Sequence, residues 1–217
     1  MRPLDELINT DEPGLAFVQE WAQKGSNSVE FLPRDSASSE RALVALQVTT
    51  RSPMGALAYG TGGLRIAGGW VRVLGGGCAC LPALDTFNRY ERGPEGHRLP
   101  GALIVGWDVL GGFFALNGGA LGEEVGQVYY FAQDTLEWES LEQGYSDWLC
   151  GLFSGDLDAF YGDQRWPGWE AEIASLEGDR LVNVYPPLCA QGPSVGLRSR
   201  AAVPLEEIWG MFVRAEE

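Results

Sequence analysis

The apolar positions of this chain change period near its middle. Leu103 to Trp107, Phe113 to Leu116 and Val128 to Phe131 are short apolar runs separated by Gly and Asn clusters, the pattern of adjacent buried strands joined by turns. They predict an antiparallel meander. Beyond Asp134 the apolar residues Leu141, Tyr145, Trp148, Leu149 and Leu152 fall on one stripe of a period near ~3.6 residues. A helix covering the sheet is therefore expected to begin after Asp134.

The flanking segments follow the same reading. Leu4, Leu7 and Ile8 predict a short opening helix; Asp11 and Pro13 then start a second, with Leu15, Val18 and Trp21 on its stripe and Gly25 at its end. Val29 to Leu32 is a candidate strand stopped by Pro33. The Ser-rich segment Asp35 to Ser39 reads as a loop before a helix over Arg41 to Gln47. From Met54 to Leu74 three apolar runs are cut by glycines at 60 to 63 and 68 to 69, as in successive hairpins. The Gly- and Pro-rich stretch Gly75 to Gly101 exceeds an ordinary turn, which marks a functional or a mobile loop. One domain over 1–217 is expected, with that stretch as the place where sub-lobes 1–75 and 101–217 would meet. Further on, Asp156 to Tyr161 and the segment opened by Trp166-Pro167-Gly168 predict helices, the second burying Trp169, Ile173 and Leu176. Leu181 to Tyr185 predicts a strand, and Gln191 to Arg200 a polar loop. A terminal helix is expected over Pro204 to Ala215, with Leu205, Ile208, Trp209 and Phe212 on one side.

Composition narrows the functional classes. With 45% hydrophobic residues and eight Trp among 217 residues, the chain can bury a core without disulfide staples. A net charge of −15 argues against nucleic-acid backbones and anionic membrane surfaces, which demand basic residues. No run reaches the ~18 apolar residues of a membrane span, and the N-terminal residues lack the pattern of a signal peptide. A cytoplasmic protein is expected. Its four cysteines, Cys78, Cys80, Cys150 and Cys189, are too irregularly spaced for a disulfide scaffold, and reduced thiols are expected.

The inventory of reactive groups is small. The one histidine, His97, lies in the Gly/Pro-rich stretch, so triads and His-rich metal sites have little to draw on. Cys78-Ala79-Cys80 lacks the second ligand pair of a structural zinc site. Neither phosphate-binding glycine motif occurs. No catalytic residue, metal or cofactor is therefore assigned. Carboxylates are abundant: Glu123 and Glu124, then Asp134, Glu137, Glu139 and Glu142, then Asp156, Asp158 and Asp163. They form either a solvated face or a face that docks onto a basic protein. On the docking reading the contact residues are Glu123, Glu124, Asp134, Glu137, Trp138, Glu139 and Trp166, the two tryptophans serving as surface anchors. The alternative is a small-molecule-binding protein or an enzyme with its pocket at Gly75 to Gly101, where His97 and Asp108 would exchange protons. A homodimer built on the terminal helix is a third reading.

The segments QVTTRSPMGALAY, GGFFALNGGALG, VYYFAQDTLEWE, GYSDWL, SGDLDAFY and RWPGWE resemble a bacterial family, domain of unknown function 2625, over nearly the whole chain. More distantly, the order of strands, Gly112, Trp138 and the stripe ending in Leu149 is similar to the SUKH superfamily (Smi/Knr-like proteins) over about Gly101 to Gly155. That second resemblance implies an α+β fold, a mostly antiparallel sheet with hairpins covered by several helices. It also implies a non-catalytic, immunity-type function that neutralises a toxin, with Gly112, Trp138 and Leu149 shaping the fold.

Overall fold

The computed structural model describes residues 1–213, so positions 214 and 215 of the expected terminal helix lie outside the described residues. Seven strands form one antiparallel sheet in strict chain order: β1 (Val29–Phe31), β2 (Gly63–Ile66), β3 (Val71–Leu74), β4 (Ala102–Asp108), β5 (Phe113–Asn117), β6 (Gln127–Phe131) and β7 (Trp138–Gly144). A separate antiparallel hairpin pairs β8 (Arg180–Tyr185) with β9 (Ser199–Pro204). The fold is α+β, as the sequence predicts. β3 pairs directly with β4, Val71 opposite Asp108, so the sheet runs uninterrupted past residues 75–101.

Register explains how the sheet faces are used. Glu30, Arg65, Arg72, Trp107, Phe113, Phe131 and Trp138 are successive partners across the seven strands. Partners in register project to one face, while their chain neighbours project to the other. Thus Phe113 meets Trp209, ring centroids 4.9 Å apart, whereas Phe114 meets Trp148, 5.3 Å away. Trp148 belongs to α6 (Tyr145–Ser154), which touches α2 (Gly14–Lys24) and α4 (Pro53–Gly60). Trp209 follows α9 (Leu205–Ile208) and opens the π-helical turn Trp209–Val213. Both faces are therefore covered, one by long helices and the other by the C-terminal pieces. No helix among the described residues is long and apolar enough to cross a membrane.

Three sequence expectations are corrected. Residues 138–144 are a strand and not the start of the helix, because Trp138, Glu139 and Ser140 pair with Phe131, Tyr130 and Tyr129. Leu141 lies on that edge strand, and its helical spacing to Tyr145 and Trp148 straddles a strand–helix junction. The run at 53–60 is helical where a hairpin strand was expected: Ser52 accepts a hydrogen bond from the Gly55 N–H (3.1 Å) and Pro53 occupies the first turn. That cap is worth about 1 kcal/mol, and nearly all-round burial hid the helical period. Likewise α3 (Ser36–Leu46) begins inside the expected Ser-rich loop, since Asp35 accepts from the Ser38 N–H (2.8 Å). The preceding elements match their predictions: α1 (Leu4–Leu7) is a single turn, and α2 carries buried Val18 and ends at Gly25.

Residues 75–101 are tied down at many points. They contain α5 (Leu84–Phe87) and two short 3-10 turns, Tyr90–Arg92 and Pro94–Gly96. Buried Asn88 donates to the Leu84 and Ile104 carbonyls and accepts from the Ile104 N–H, at 2.8 to 2.9 Å. Its side chain thereby completes part of the hydrogen bonding along β4. After α6 come α7 (Leu157–Tyr161) and α8 (Trp169–Ala174), close to their predicted positions.

Candidate functional site

A cleft of about 770 Å³ opens where residues 75–101 meet the C-terminal pieces. It is lined by residues 78–82, Thr86, Phe87 and Arg98, by residues 177–179 and 204–206, and by Trp107 of β4. Phe87 and Trp107 lie with ring centroids 5.0 Å apart, giving an apolar floor. Arg98 ties Phe87 to Glu206. Its Nε donates to the Phe87 carbonyl (2.6 Å), and its two terminal nitrogens donate to Glu206 at 3.1 and 2.5 Å. The guanidinium also lies 4.0 Å from the Phe87 ring centre, so ion pair and cation–π contact fix one orientation.

Behind the cleft sits Arg72, 1% exposed at the middle of the sheet. Its Nη1 donates to the Gly178 and Arg180 carbonyls at 3.0 and 2.6 Å, while Nε and Nη2 have no hydrogen-bond partner among the described residues. Burial lowers its pKa to about 10, helped by the like charge of Arg65 on the neighbouring strand and opposed by Asp179 and Cys80. Arg72 therefore remains cationic near neutrality and holds residues 178–180 against the sheet. Gly178 is required here: any Cβ would collide with the Cys80 carbonyl.

On the rim, the Sγ atoms of Cys78 and Cys80 lie 2.8 Å apart, and the Cys80 N–H points at Cys78 Sγ (3.4 Å). Cys80 is exposed and Cys78 half-buried. Partial burial and then the Cys78 sulfur push the Cys80 thiol up to about 11. Among the described residues no group of three or more His, Cys, Asp or Glu side chains is placed to hold a metal ion.

The proton-exchange pair of the alternative reading is not brought together. Asp108 is wholly buried between sheet and helices, accepting from the Tyr130 hydroxyl (2.6 Å) and from the Leu110 and Gly112 N–H groups (2.9 and 3.1 Å). His97 stacks on Tyr90, ring centroids 4.5 Å apart. Neither residue lines the cleft. Burial raises the Asp108 carboxyl to about 6, against the pull of its three hydrogen bonds.

The acidic candidates fall into two groups at opposite ends of β6. Glu123 and Glu124 are exposed on the β5–β6 connection, where Glu124 accepts from the Tyr129 hydroxyl (3.2 Å). Asp134 and Glu137 are exposed on the β6–β7 connection, and Glu139 follows on β7, accepting from the Thr135 hydroxyl (3.0 Å). None of the five is ion-paired among the described residues. Trp138 is half-buried against Phe131, centroids 5.3 Å apart. Trp166 is not a surface anchor: it is 3% exposed, donates to Glu172 (2.8 Å) and lies beneath the Arg200 guanidinium. Pro167 and Gly168 open the helix that follows, and the Trp166 ring folds inward onto Trp70.

Sequence reasoning missed Arg98, Glu206, Glu177 and Asp179 as cleft residues. They lie far apart in the chain, and isolated charged residues carry no local signature of a shared site.

The family model for "Protein of unknown function DUF2625" matches residues 4–208, and the chain belongs to that family. It is 44% identical over 219 residues to the putative uncharacterized protein YbfG of Escherichia coli (strain K12), covering 100% of this chain and 98% of that one. It is 36% identical over 189 residues to an uncharacterized protein of Haemophilus influenzae, covering 87% and 83% respectively. No solved structure matches the chain.

Proposed function

We propose that this protein binds a small molecule in the cleft beside residues 75–101. The observation that carries the reading is the cleft itself. Its volume of about 770 Å³ lies within the ~300–1,000 Å³ of small-molecule sites. The Phe87 and Trp107 floor suits an apolar body, and Glu177 and Asp179 on the wall suit a basic or hydrogen-bond-donating head group. The test is a thermal shift with an arylalkylamine and the matching arylalkanoate. The amine should raise Tm in proportion to RT ln(1 + [L]/Kd) and the carboxylate should not. Thr86→Trp, at the exposed mouth, should abolish the rise. Equal shifts with both compounds, or an undiminished shift in the variant, would sink the reading.

A second reading is docking of a basic protein through the β6–β7 end of the sheet. It rests on the exposed carboxylates Asp134, Glu137 and Glu139, free of ion pairs among the described residues, beside half-buried Trp138. The resemblance of residues 101–155 to the SUKH superfamily supports it, because that superfamily contains toxin-neutralising immunity proteins. Exposed charges of this kind act over the Debye length and mainly raise association rates. Binding of a basic toxin domain should weaken steeply with salt and further in Glu137→Lys/Glu139→Lys. An affinity indifferent to salt removes this mechanism.

A further inference from the structure

We propose that Cys78 and Cys80 are a redox-active dithiol pair, closing reversibly into an intrachain disulfide on the rim of the cleft. This inference is independent of whether the cleft takes a ligand. The sulfurs already lie 2.8 Å apart, against about 2.05 Å for a disulfide bond, so closure requires movement of under about 1 Å. The backbone around them is held by close approaches: a Cβ at Gly62 would strike the Cys78 side chain, and one at Gly178 the Cys80 carbonyl. The Cys78 N–H also donates to the Leu81 carbonyl (2.9 Å), tightening the turn that carries both thiols. Cys80 is exposed, so an oxidant can reach it.

One cation, Arg65, pulls the Cys80 thiol toward its anion, but burial and the Cys78 sulfur outweigh it. Arg65 and Arg72 are register partners on β2 and β3, two like charges side by side. A negative sulfur at Cys80 eases that repulsion: Arg65 favours the Cys80 thiolate, and Cys80 in turn favours charged Arg72. Opposing this, partial burial and the contact with Cys78 keep the free Cys80 thiol protonated near neutrality. Exchange is therefore faster as pH rises. Two of the influences holding the thiol protonated come from Cys78 and disappear when Cys78 is removed.

The reaction with a low-molecular-weight disulfide balances in two displacements. The thiolate of one cysteine attacks a sulfur of oxidised glutathione, forming a mixed disulfide and releasing one glutathione thiolate. The second cysteine attacks the protein sulfur of that mixed disulfide, closing the Cys78–Cys80 bond and releasing the second glutathione. The two protein thiol protons pass to the released thiolates. The protein is oxidised by two electrons and the glutathione disulfide is reduced by two.

The experiment uses the full chain, equilibrated with defined mixtures of reduced and oxidised glutathione, quenched by alkylation and digested. Of the four cysteines, two should be lost together as oxidised glutathione increases, on one peptide carrying Cys78 and Cys80 two hydrogens lighter and without glutathione. Cys78→Ser and Cys80→Ser should each instead retain a single glutathione on the remaining cysteine. In Cys78→Ser the alkylation profile of Cys80 should shift to lower pH. Mixed adducts on both cysteines of the wild-type peptide, or two free thiols in the most oxidising mixture that leaves the fold intact by circular dichroism, would overturn the proposal.

Discussion

On one face of the sheet Phe114, Tyr130 and Trp148 lie ring to ring beside a groove of about 250 Å³; on the other, Phe87 and Trp107 floor a cleft of about 770 Å³. Only the larger volume falls within the ~300–1,000 Å³ of small-molecule sites. The covering elements explain the difference. α6 is a ten-residue helix that buries Trp148, Leu149, Leu152 and Phe153 against its neighbours. The opposite face is covered by the four-residue α9, a hairpin and residues 75–101, braced by Arg98 on Glu206 and by Arg72 on two carbonyls. A continuous apolar stripe packs evenly, whereas short pieces held by charged side chains leave space between them.

Removing volume from the helix-covered face is the strongest way to break this contrast. Phe114→Ala deletes a ring that is 1% exposed and packed between Tyr130 and Trp148. A loss of about 3–5 kcal/mol in urea-unfolding stability is expected. A loss under about 1 kcal/mol would mean this face is no better packed than the cleft side.

The next largest effect is electrostatic and lies on the same face. Asp108 titrates at about 6 in the fold, raised from 3.8 chiefly by burial. Folding thus favours its protonated form: the favourable contribution is complete below the unfolded value and is lost as pH rises through the folded one. Relative to Asp108→Asn, the wild type should lose on the order of 3 kcal/mol between about pH 4 and about pH 7. The two backbone N–H donors at Leu110 and Gly112 can still bond the amide oxygen, so the comparison isolates the charge. A stability difference that stays flat with pH would refute this account. Smaller again is Gly112→Ala, whose new Cβ would press on the Tyr130 hydroxyl and the Asp108 carboxylate. Overpacking there should cost about 1–3 kcal/mol, read from the same unfolding curves.

How far these features were legible in the sequence follows from their range. The β4–β6 meander was readable because Ile104, Phe114 and Tyr130 stand in short apolar runs between turn residues, a local pattern. β7 was not, because as an edge strand it exposes Glu139, Glu142 and Gln143, and its apolar residues align by coincidence with those of α6. β9 was missed for a similar reason: Ser199 to Pro204 is exposed or half-buried throughout, with no alternation to read. Arg72 interrupts the apolar run of its strand, and its bonds to the carbonyls of residues 178 and 180 account for it. Residues 75–101 were marked by their length, but the cleft beside them depends on Glu177, Asp179 and Glu206, which come from the far end of the chain.

Adding volume to the cleft gives the smallest expected effect and the sharpest control on the comparison. Thr86 is exposed at the cleft mouth, and its hydroxyl donates to the Ala83 carbonyl (3.0 Å) at the start of α5. Thr86→Trp removes that bond, worth about 0.5–1 kcal/mol, but the indole enters existing space and covers apolar surface at Phe87, which offsets the loss. Stability should therefore change by less than about 1 kcal/mol, although the added side chain is far larger than the single methyl introduced by Gly112→Ala. If Thr86→Trp destabilised the fold as much as Gly112→Ala, the cleft would not be open volume, and the physical difference between the two faces would disappear.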